Sequence, residues 1–415
     1  MARVCIRASR CTGSVSVPSS KSDAHRKIIA AGLAFGEVSR IGRFALSDDL
    51  RYTLEAMRAF ADIVVSDRHI EMHPRIPERK EARFDAGESG STLRFLMPLF
   101  ARFFATTRIE ARKSLRTRPL EPYREIFKDR LEIGEEIVLK GGLSGGDYRI
   151  SGNLSSQFVS GLLFALPLIE TDSTLIVSGR LESKPYVDLT LSALKEAGIC
   201  IEESENAYRI RGNQRYRGCD YRVEGDYSQL AFFAVLGQIN APIHVKIAPK
   251  KTCQGDARIL TMLRAFHGRF LEDETGYTFL PSSLKAAEID LADQPDLGPI
   301  LFVLALFAEG TSRFVNVRRL RYKECDRIEA MKSELKKFGA EISVGENEVL
   351  IAGQKVHSPD QIVDAHNDHR ILMALSILAT VTKETTLEDS RCVNKSYPGF
   401  FRDLKKIGIE VNVLD

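Results

Sequence analysis

Residues 324–353 read ECDRIEAMKSELKKFGAEISVGENEVLIAG, and three local signals within them decide the fold. Ile328, Met331, Leu335 and Phe338 recur at helical spacing, so a helix here turns one apolar face inward and leaves its lysines and glutamates in water. Gly339 stands where a helix C-terminus needs a left-handed residue. Alternating residues then flank GEN, where a hairpin turn belongs. The segment predicts an amphipathic helix followed by two strands. Residues 187–212, VDLTLSALKEAGICIEESENAYRIRG, repeat the arrangement.

Working outward, each such module follows a polar cap that leads into a strongly apolar helical run. Six caps are present: KSDAHRKIIAAGLA, ESGSTLRFLMPLFA, SSQFVSGLLFALPL, DYSQLAFFAVLGQ, PDLGPILFVLALFA and NDHRILMALSILA. Their first residues, Lys21, Glu88, Ser155, Asp226, Pro295 and Asn367, lie about 67 to 72 positions apart. The repeating unit is strand, buried helix, strand, amphipathic helix and two strands, used six times. Three units per lobe give two similar α/β lobes of ordinary domain size. The polar break from Tyr221 to Asp226 is the natural seam.

Composition narrows the function. The 415 residues carry 59 Lys and Arg against 56 Asp and Glu, a net charge of +3, which excludes the sustained basic excess behind non-specific nucleic-acid binding. Anion recognition must then be local. LLFALPLI and ILFVLALFA are too short to cross a bilayer and read as buried helices. The N-terminal stretch is interrupted by Arg3, Arg7 and Arg10, unlike a secretory signal, and the seven cysteines include no CxxC pair. A reduced, cytoplasmic, monomeric enzyme is expected. The eight histidines form no metal motif, and no P-loop or dinucleotide fingerprint appears, so neither a metal nor an organic cofactor is expected.

A helix apolar nearly all round must be buried, so its N-terminal amides serve a ligand only where the cap opens to one; there, free N–H groups and the helix dipole favour phosphate or carboxylate. Plain capping by Ser, Asp or Asn accounts for each cap equally well. In PSSKSDAHR, Lys21, Ser22 and Arg26 fall within about a turn of each other, a point charge and a fork matched to oxyanions, or a solvated basic cluster. SLRTRPL sets Arg116 and Arg118 before Pro119, which suits the first turn of a following helix. RRLRYKECDR places Lys323, Glu324 and Arg327 at the start of the amphipathic helix, where Glu324 also complements the dipole; the mixed signs suit a catalytic site better than an RNA-binding patch. His369 and Arg370 sit at the sixth cap, and Lys395 precedes a helix start expected at Pro398. Asp296 immediately precedes an apolar run, where burial would raise its pKa and neighbouring cations would lower it; that tension suits a general base, and a plain N-cap is the alternative.

The caps resemble, in order and along nearly the whole chain, the motifs of the 5-enolpyruvylshikimate-3-phosphate synthase family of enolpyruvyl transferases. SKSDAHR, ESGSTLR, TRP, SSQF, SKPYVD, EGDYS, QPDL, YKECDR, NDHR and NKSYP carry the resemblance. It implies an inside-out α/β barrel in each of two lobes, residues 1–18 with 225–415 and residues 19–224, that close on the substrates, each built of three βαβαββ units. It also implies cofactor-free transfer of the enolpyruvyl group of phosphoenolpyruvate to the 5-hydroxyl of shikimate 3-phosphate, with release of phosphate.

Carried over motif by motif, Lys21, Ser22, Arg26, Ser155, Ser156, Gln157, Ser183, Tyr186, Asp296 and Lys323 would hold shikimate 3-phosphate. Lys21, Gly90, Arg118, Gln157, Arg327, Arg370 and Lys395 would hold phosphoenolpyruvate. Asp296 would accept the proton of the attacking hydroxyl, and Glu324 or Lys21 would protonate the methylene carbon. Ser19, Glu88, Phe95 and Arg319 depart from the commoner family pattern. The related transferase acting on UDP-N-acetylglucosamine carries a reactive cysteine after the glycine-rich segment, and no cysteine lies between Cys11 and Cys200 here. An RNA-end-modifying or RNA-binding protein on a related fold would show steep salt dependence. A dead homologue would have lost part of the cationic set, which is complete.

Overall fold

A computed structural model describes residues 2–42, 44–66, 69–248 and 251–414. The chain forms two compact units, Ser19–Val223 and the combination of Met1–Pro18 with Glu224–Asp415. Six central helices carry the caps: α1 (Lys21–Gly32), α2 (Gly90–Phe103), α3 (Ser156–Ala165), α4 (Tyr227–Ile239), α5 (Gly298–Ala305) and α6 (His369–Ala379). Their apolar residues face inward on every side, as their sequences require, and in the second unit α4, α5 and α6 pack against one another.

One repeat shows how the pattern becomes structure. Glu81–Asp85 leads into α2, and Thr106–Glu110 returns parallel to it; Glu121–Phe127 is the outer helix, and Leu131–Ile133 with Ile137–Lys140 forms the hairpin. Ile137 pairs with Ile109 and Leu139 with Thr107, so the inward residues of both strands share one face. The sheet at Gly146–Ile210 and that at Glu288–Ala352 have the same strand order. The opening segment forms the elements read from it, with a helix at Arg327–Lys337, Gly339 at φ +87°, and a hairpin of Ile342–Val344 and Glu348–Ala352 around Gly345. Glu334, however, is buried and not in water, accepting from the Asp364 amide and lying 3.2 Å from His366 Nε2.

The repeat is not continuous at the ends of each unit. Asp220–Tyr221 supplies the parallel edge strand of the first sheet, beside Ser39–Gly42, and Ser14–Ser16 does the same beside Ile243–Lys246. The sheet of the sixth repeat takes its central strand from the first residues of the sequence. Arg3–Arg7 lies antiparallel between Glu384–Leu387 and Glu410–Leu414, burying Val4 and Ile6 completely.

Within Ser19–Val223, α2 and α3 approach closely through an exchange of hydrogen bonds. Pro98 lies inside α2 and has no N–H, so the carbonyl of Arg94 one turn earlier loses its helical partner. The Tyr123 hydroxyl donates to that carbonyl at 2.5 Å, and the Phe158 carbonyl of α3 lies 3.3 Å from the same oxygen. Gly161 makes the approach possible, because a Cβ there would collide with the Arg94 carbonyl and the Tyr123 hydroxyl. Burial pushes the Tyr123 phenol well above its ordinary pKa, so it serves only as a neutral donor.

Candidate functional site

In Ser19–Val223 the polar residues gather at the starts of the helices. Ser20 caps α1 by accepting from the Asp23 amide, and Lys21, the first helical residue, pairs with Asp49 at 2.8 Å. Arg26, one turn in, is almost fully buried. It donates to Thr190 Oγ1 at 2.8 Å and to the carbonyls of Ser22 and Tyr186 at 2.6 Å each, and lies over the Phe95 ring at 5.0 Å. Its burial lowers its pKa to about 10, still fully charged at neutral pH. Arg26 therefore ties Ser22 to Tyr186 through their backbones, and Phe95 forms the floor beneath the guanidinium. Ser183 adopts a left-handed φ of +58° immediately before the helix Lys184–Glu196 and is buried. Thr190 of that helix bonds Ser160 of α3 at 2.7 Å, so α1, α3 and this helix are held together around Ser22 and Tyr186.

A second cluster surrounds Gly90. Ser89 caps α2, and a Cβ on Gly90 would sit 3.3 Å from Arg94 Nη1 and Gln157 Oε1 and 3.5 Å from Arg118 Nη1. Gln157 accepts from Arg94 at 2.8 Å and donates to Ser91 at 2.9 Å, which fixes its amide orientation. Ser155 caps α3 by accepting from the Gln157 amide, and Ser156 is the first helical residue. Glu88 accepts from Ser114 at 2.7 Å. Pro119 does not open the following helix. That helix starts at Glu121 with Pro122 in its first turn, and the Pro119 carbonyl instead receives Arg94 Nη2 at 3.2 Å.

In the other unit six charges interlock. Asp296 accepts Lys323 at 3.0 Å and Arg327 at 2.8 Å on Oδ1, and pairs with Arg370 at 3.0 Å on Oδ2. Arg327, 1% exposed, reaches three carboxylates: Asp296, Glu324 at 2.7 Å and Asp368 at 2.7 Å. Asp368, completely buried, also caps α6 by accepting from the amides of Arg370 and Ile371. Arg370 donates to Ser228 Oγ at 3.2 Å. Lys395 reaches the Asn367 carbonyl at 2.6 Å, next to that cap.

Burial alone would raise the pKa of Asp296, but Arg370, Lys323 and Arg327 outweigh it and hold the carboxyl well below the usual range. Burial, followed by the charges of Arg327 and Arg319, brings Lys323 down to about 8 against the pull of Asp296. Lys323 is thus a cation that titrates near neutrality beside a carboxylate that does not.

Three local expectations need correction. Asp296 is no N-cap; it lies in a 3-10 turn, Pro295–Leu297, ahead of α5. Lys323 and Glu324 precede the helix at Arg327, whose cap is Asp326, so Glu324 faces Arg327 instead of the first-turn amides. Lys395 ends a 3-10 segment, and the next helix starts at Phe400, not Pro398. Sequence reading passed over Asp49, Arg94 and Asp368. Asp368 carries the signature of an ordinary cap, and nothing local in the sequence marks Asp49 or Arg94.

Among the described residues no cluster of three or more His, Cys, Asp or Glu side chains suits a metal ion, and no helix is long and apolar enough to cross a membrane.

Residues 6–404 match the family described as EPSP synthase (3-phosphoshikimate 1-carboxyvinyltransferase). A 3-phosphoshikimate 1-carboxyvinyltransferase from Clostridium botulinum (strain Alaska E43 / Type E3) is 39% identical over 414 residues, covering 95% of each chain. One from Brachyspira hyodysenteriae is 39% identical over 417 residues, covering 98% of this chain and 99% of its own. Among solved structures, an EPSP synthase from Acinetobacter baumannii shares the fold with a TM-score of 0.80 at 22% identity, covering 100% of both chains. The enolpyruvyl transferase NikO from Streptomyces tendae does so with a TM-score of 0.79 at 17% identity, covering 100% of this chain and 99% of its own.

Proposed function

The chain belongs to the EPSP synthase (3-phosphoshikimate 1-carboxyvinyltransferase) family, and from that premise we propose that it transfers the enolpyruvyl group of phosphoenolpyruvate to the 5-hydroxyl of shikimate 3-phosphate. The hydroxyl oxygen attacks C2 of phosphoenolpyruvate while its proton passes to Asp296 and the methylene carbon gains a proton from Glu324 or Lys21. The tetrahedral adduct then loses a methyl proton and expels phosphate. Every bond exchanged belongs to the two substrates, so the reaction as written needs no cofactor. The enzyme serves aromatic amino-acid biosynthesis through the shikimate pathway, acting as a cytoplasmic monomer.

Lys21, Ser22, Arg26, Ser155, Ser156, Gln157, Ser183, Tyr186, Asp296 and Lys323 take shikimate 3-phosphate. Arg26 acts mainly by fixing Ser22 and Tyr186, since its donors already engage their carbonyls. Lys21, Gly90, Arg118, Gln157, Arg327, Arg370 and Lys395 take phosphoenolpyruvate, whose two anionic ends suit paired guanidinium groups. The observation that carries the reading is the ionised Asp296 held between Lys323, Arg327 and Arg370. A carboxylate so placed accepts a proton when its cations turn toward arriving anions, and the same cations stabilise the charge that builds on the leaving phosphate.

Phosphate release measured with each substrate alone and with both tests this directly. Release is expected only with both, and release from phosphoenolpyruvate alone would refute the assignment.

A further inference from the structure

A chain of buried hydrogen bonds runs from α1 to the cap of α2. His25 Nδ1 lies 2.8 Å from Thr53 Oγ1, which lies 2.7 Å from Thr92 Oγ1, and Thr92 donates to Ser89 Oγ at 2.7 Å. All four side chains are shut off from solvent. Ser89 Oγ also accepts the Thr92 amide, which makes it the cap of α2 beside Gly90.

The order of the protons follows from counting them. Thr92 has one hydroxyl proton, directed to Ser89 or to the nearby Asp49 carbonyl at 3.3 Å, so toward Thr53 it is an acceptor. Thr53 gives its own proton to Thr92 and must accept from His25. The imidazole therefore carries its proton on Nδ1, and Nε2 is left as a bare lone pair. Nε2 is buried without a hydrogen-bond partner among the described residues, while the ring meets Phe95 edge-on at 6.4 Å between centroids. Burial, and then the charges of Lys21 and Arg26, hold the His25 pKa well below its ordinary value, which keeps the ring neutral.

The relay has a geometric consequence. Lys21 and His25 are one turn apart on α1, and their partners Asp49 and Thr53 are one turn apart on the helix Asp48–Met57. Two polar rungs thus fix the register of these helices, and Thr53 and Thr92 extend the lock to α2. We infer that His25 is a positioning residue, whose Nδ1–H anchors a hydroxyl relay that holds the Ser89-capped start of α2, with Gly90, in register with Lys21. Directional chains of this kind strengthen one another and specify a single arrangement. The inference rests on the assignment of Gly90 to phosphoenolpyruvate alone and of Lys21 to both ligands, so the variants act through the start of α2.

Steady-state kinetics of His25→Asn, His25→Gln, His25→Leu and Thr53→Val, with thermal midpoints, test it. Asparagine carries an N–H where Nδ1 lies, whereas the glutamine amide reaches the position of Nε2. The Leu, Gln and Thr53→Val variants are expected to lose roughly 10- to 100-fold in kcat/KM for phosphoenolpyruvate, with the KM for shikimate 3-phosphate unchanged and the Asn variant within a few-fold of wild type. Equal losses for both substrates, or His25→Asn no better than His25→Gln, would overturn the role. If the Leu variant does not fold, the volume-conserving Thr53→Val carries the test alone, and wild-type kinetics there would overturn it equally. A wild-type protein that fails to couple phosphate release to both substrates refutes the functional reading; an active wild type with an unimpaired Leu variant refutes only His25.

Discussion

Asp296 is ionised because three cations enclose it, and replacing it with asparagine removes the proton acceptor while leaving the side-chain volume. Asp296→Asn is expected to lower kcat at least about 100-fold and move the KM for shikimate 3-phosphate by only a few-fold; equal losses in both would mark a binding role. Lys323 gives a pH signature. Its pKa is lowered to about 8, so the folded protein releases this proton before the unfolded chain does. Between that value and the ordinary lysine pKa the unfolded chain binds more protons, and this group's contribution to stability rises with pH. Anion binding falls over the same window. A pH profile of kcat/KM should therefore show an alkaline limb near pH 8 that Lys323→Arg moves upward, while the urea midpoint shows no parallel loss. At this scale the sequence marked Lys21, Arg26, Asp296, Arg327 and Arg370 as residues at or close to helix starts, where the structure has them, and set Lys323 too near one. It could not show that Arg26 and Arg327 would be buried with most of their donors engaged, because those partners, Thr190, Tyr186 and Asp368, lie far away in the chain.

Helix pairing depends on details that a hydrophobic pattern cannot express. The apolar run of α2 was plain in ESGSTLRFLMPLFA, yet Pro98 makes sense only with Tyr123, whose hydroxyl replaces the missing donor at Arg94. Tyr123→Phe leaves that buried carbonyl without its phenol donor and is expected to cost about 1–3 kcal/mol of stability in urea denaturation. Gly161→Ala drives α3 away from α2 and should cost a similar amount, about 1–3 kcal/mol, with a rise in the KM for phosphoenolpyruvate because Gln157 moves with α3. Caps were the most readable feature of these elements, since Ser, Asp and Asn before an apolar run have few other uses. The short 3-10 turn at Pro295–Leu297 was not readable, because it runs directly into α5 and nothing local separates the two.

The sixfold repeat sets the architecture of the whole molecule, and its period was legible in the spacing of the caps. Closure of each unit was not. Asp220–Tyr221, Ser14–Ser16 and Arg3–Arg7 each join a sheet whose other strands lie far off in sequence, and no local pattern selects those partners. The N-terminal strand is consequently a core element. Ile6→Ala should destabilise the protein by about 2–5 kcal/mol, whereas Arg7→Ala, which removes only an exposed pair with Glu384, should change stability little.

Enolpyruvyl transfer requires that the bond broken in phosphoenolpyruvate be the one between carbon and the bridging oxygen. Phosphoenolpyruvate labelled with oxygen-18 at that bridge, incubated with shikimate 3-phosphate and the protein, distinguishes this from cleavage at phosphorus. Addition and elimination sends the label into the released phosphate, with the carboxyvinyl carbons recovered on the shikimate product. Label retained in pyruvate, with unlabelled phosphate, would contradict the account.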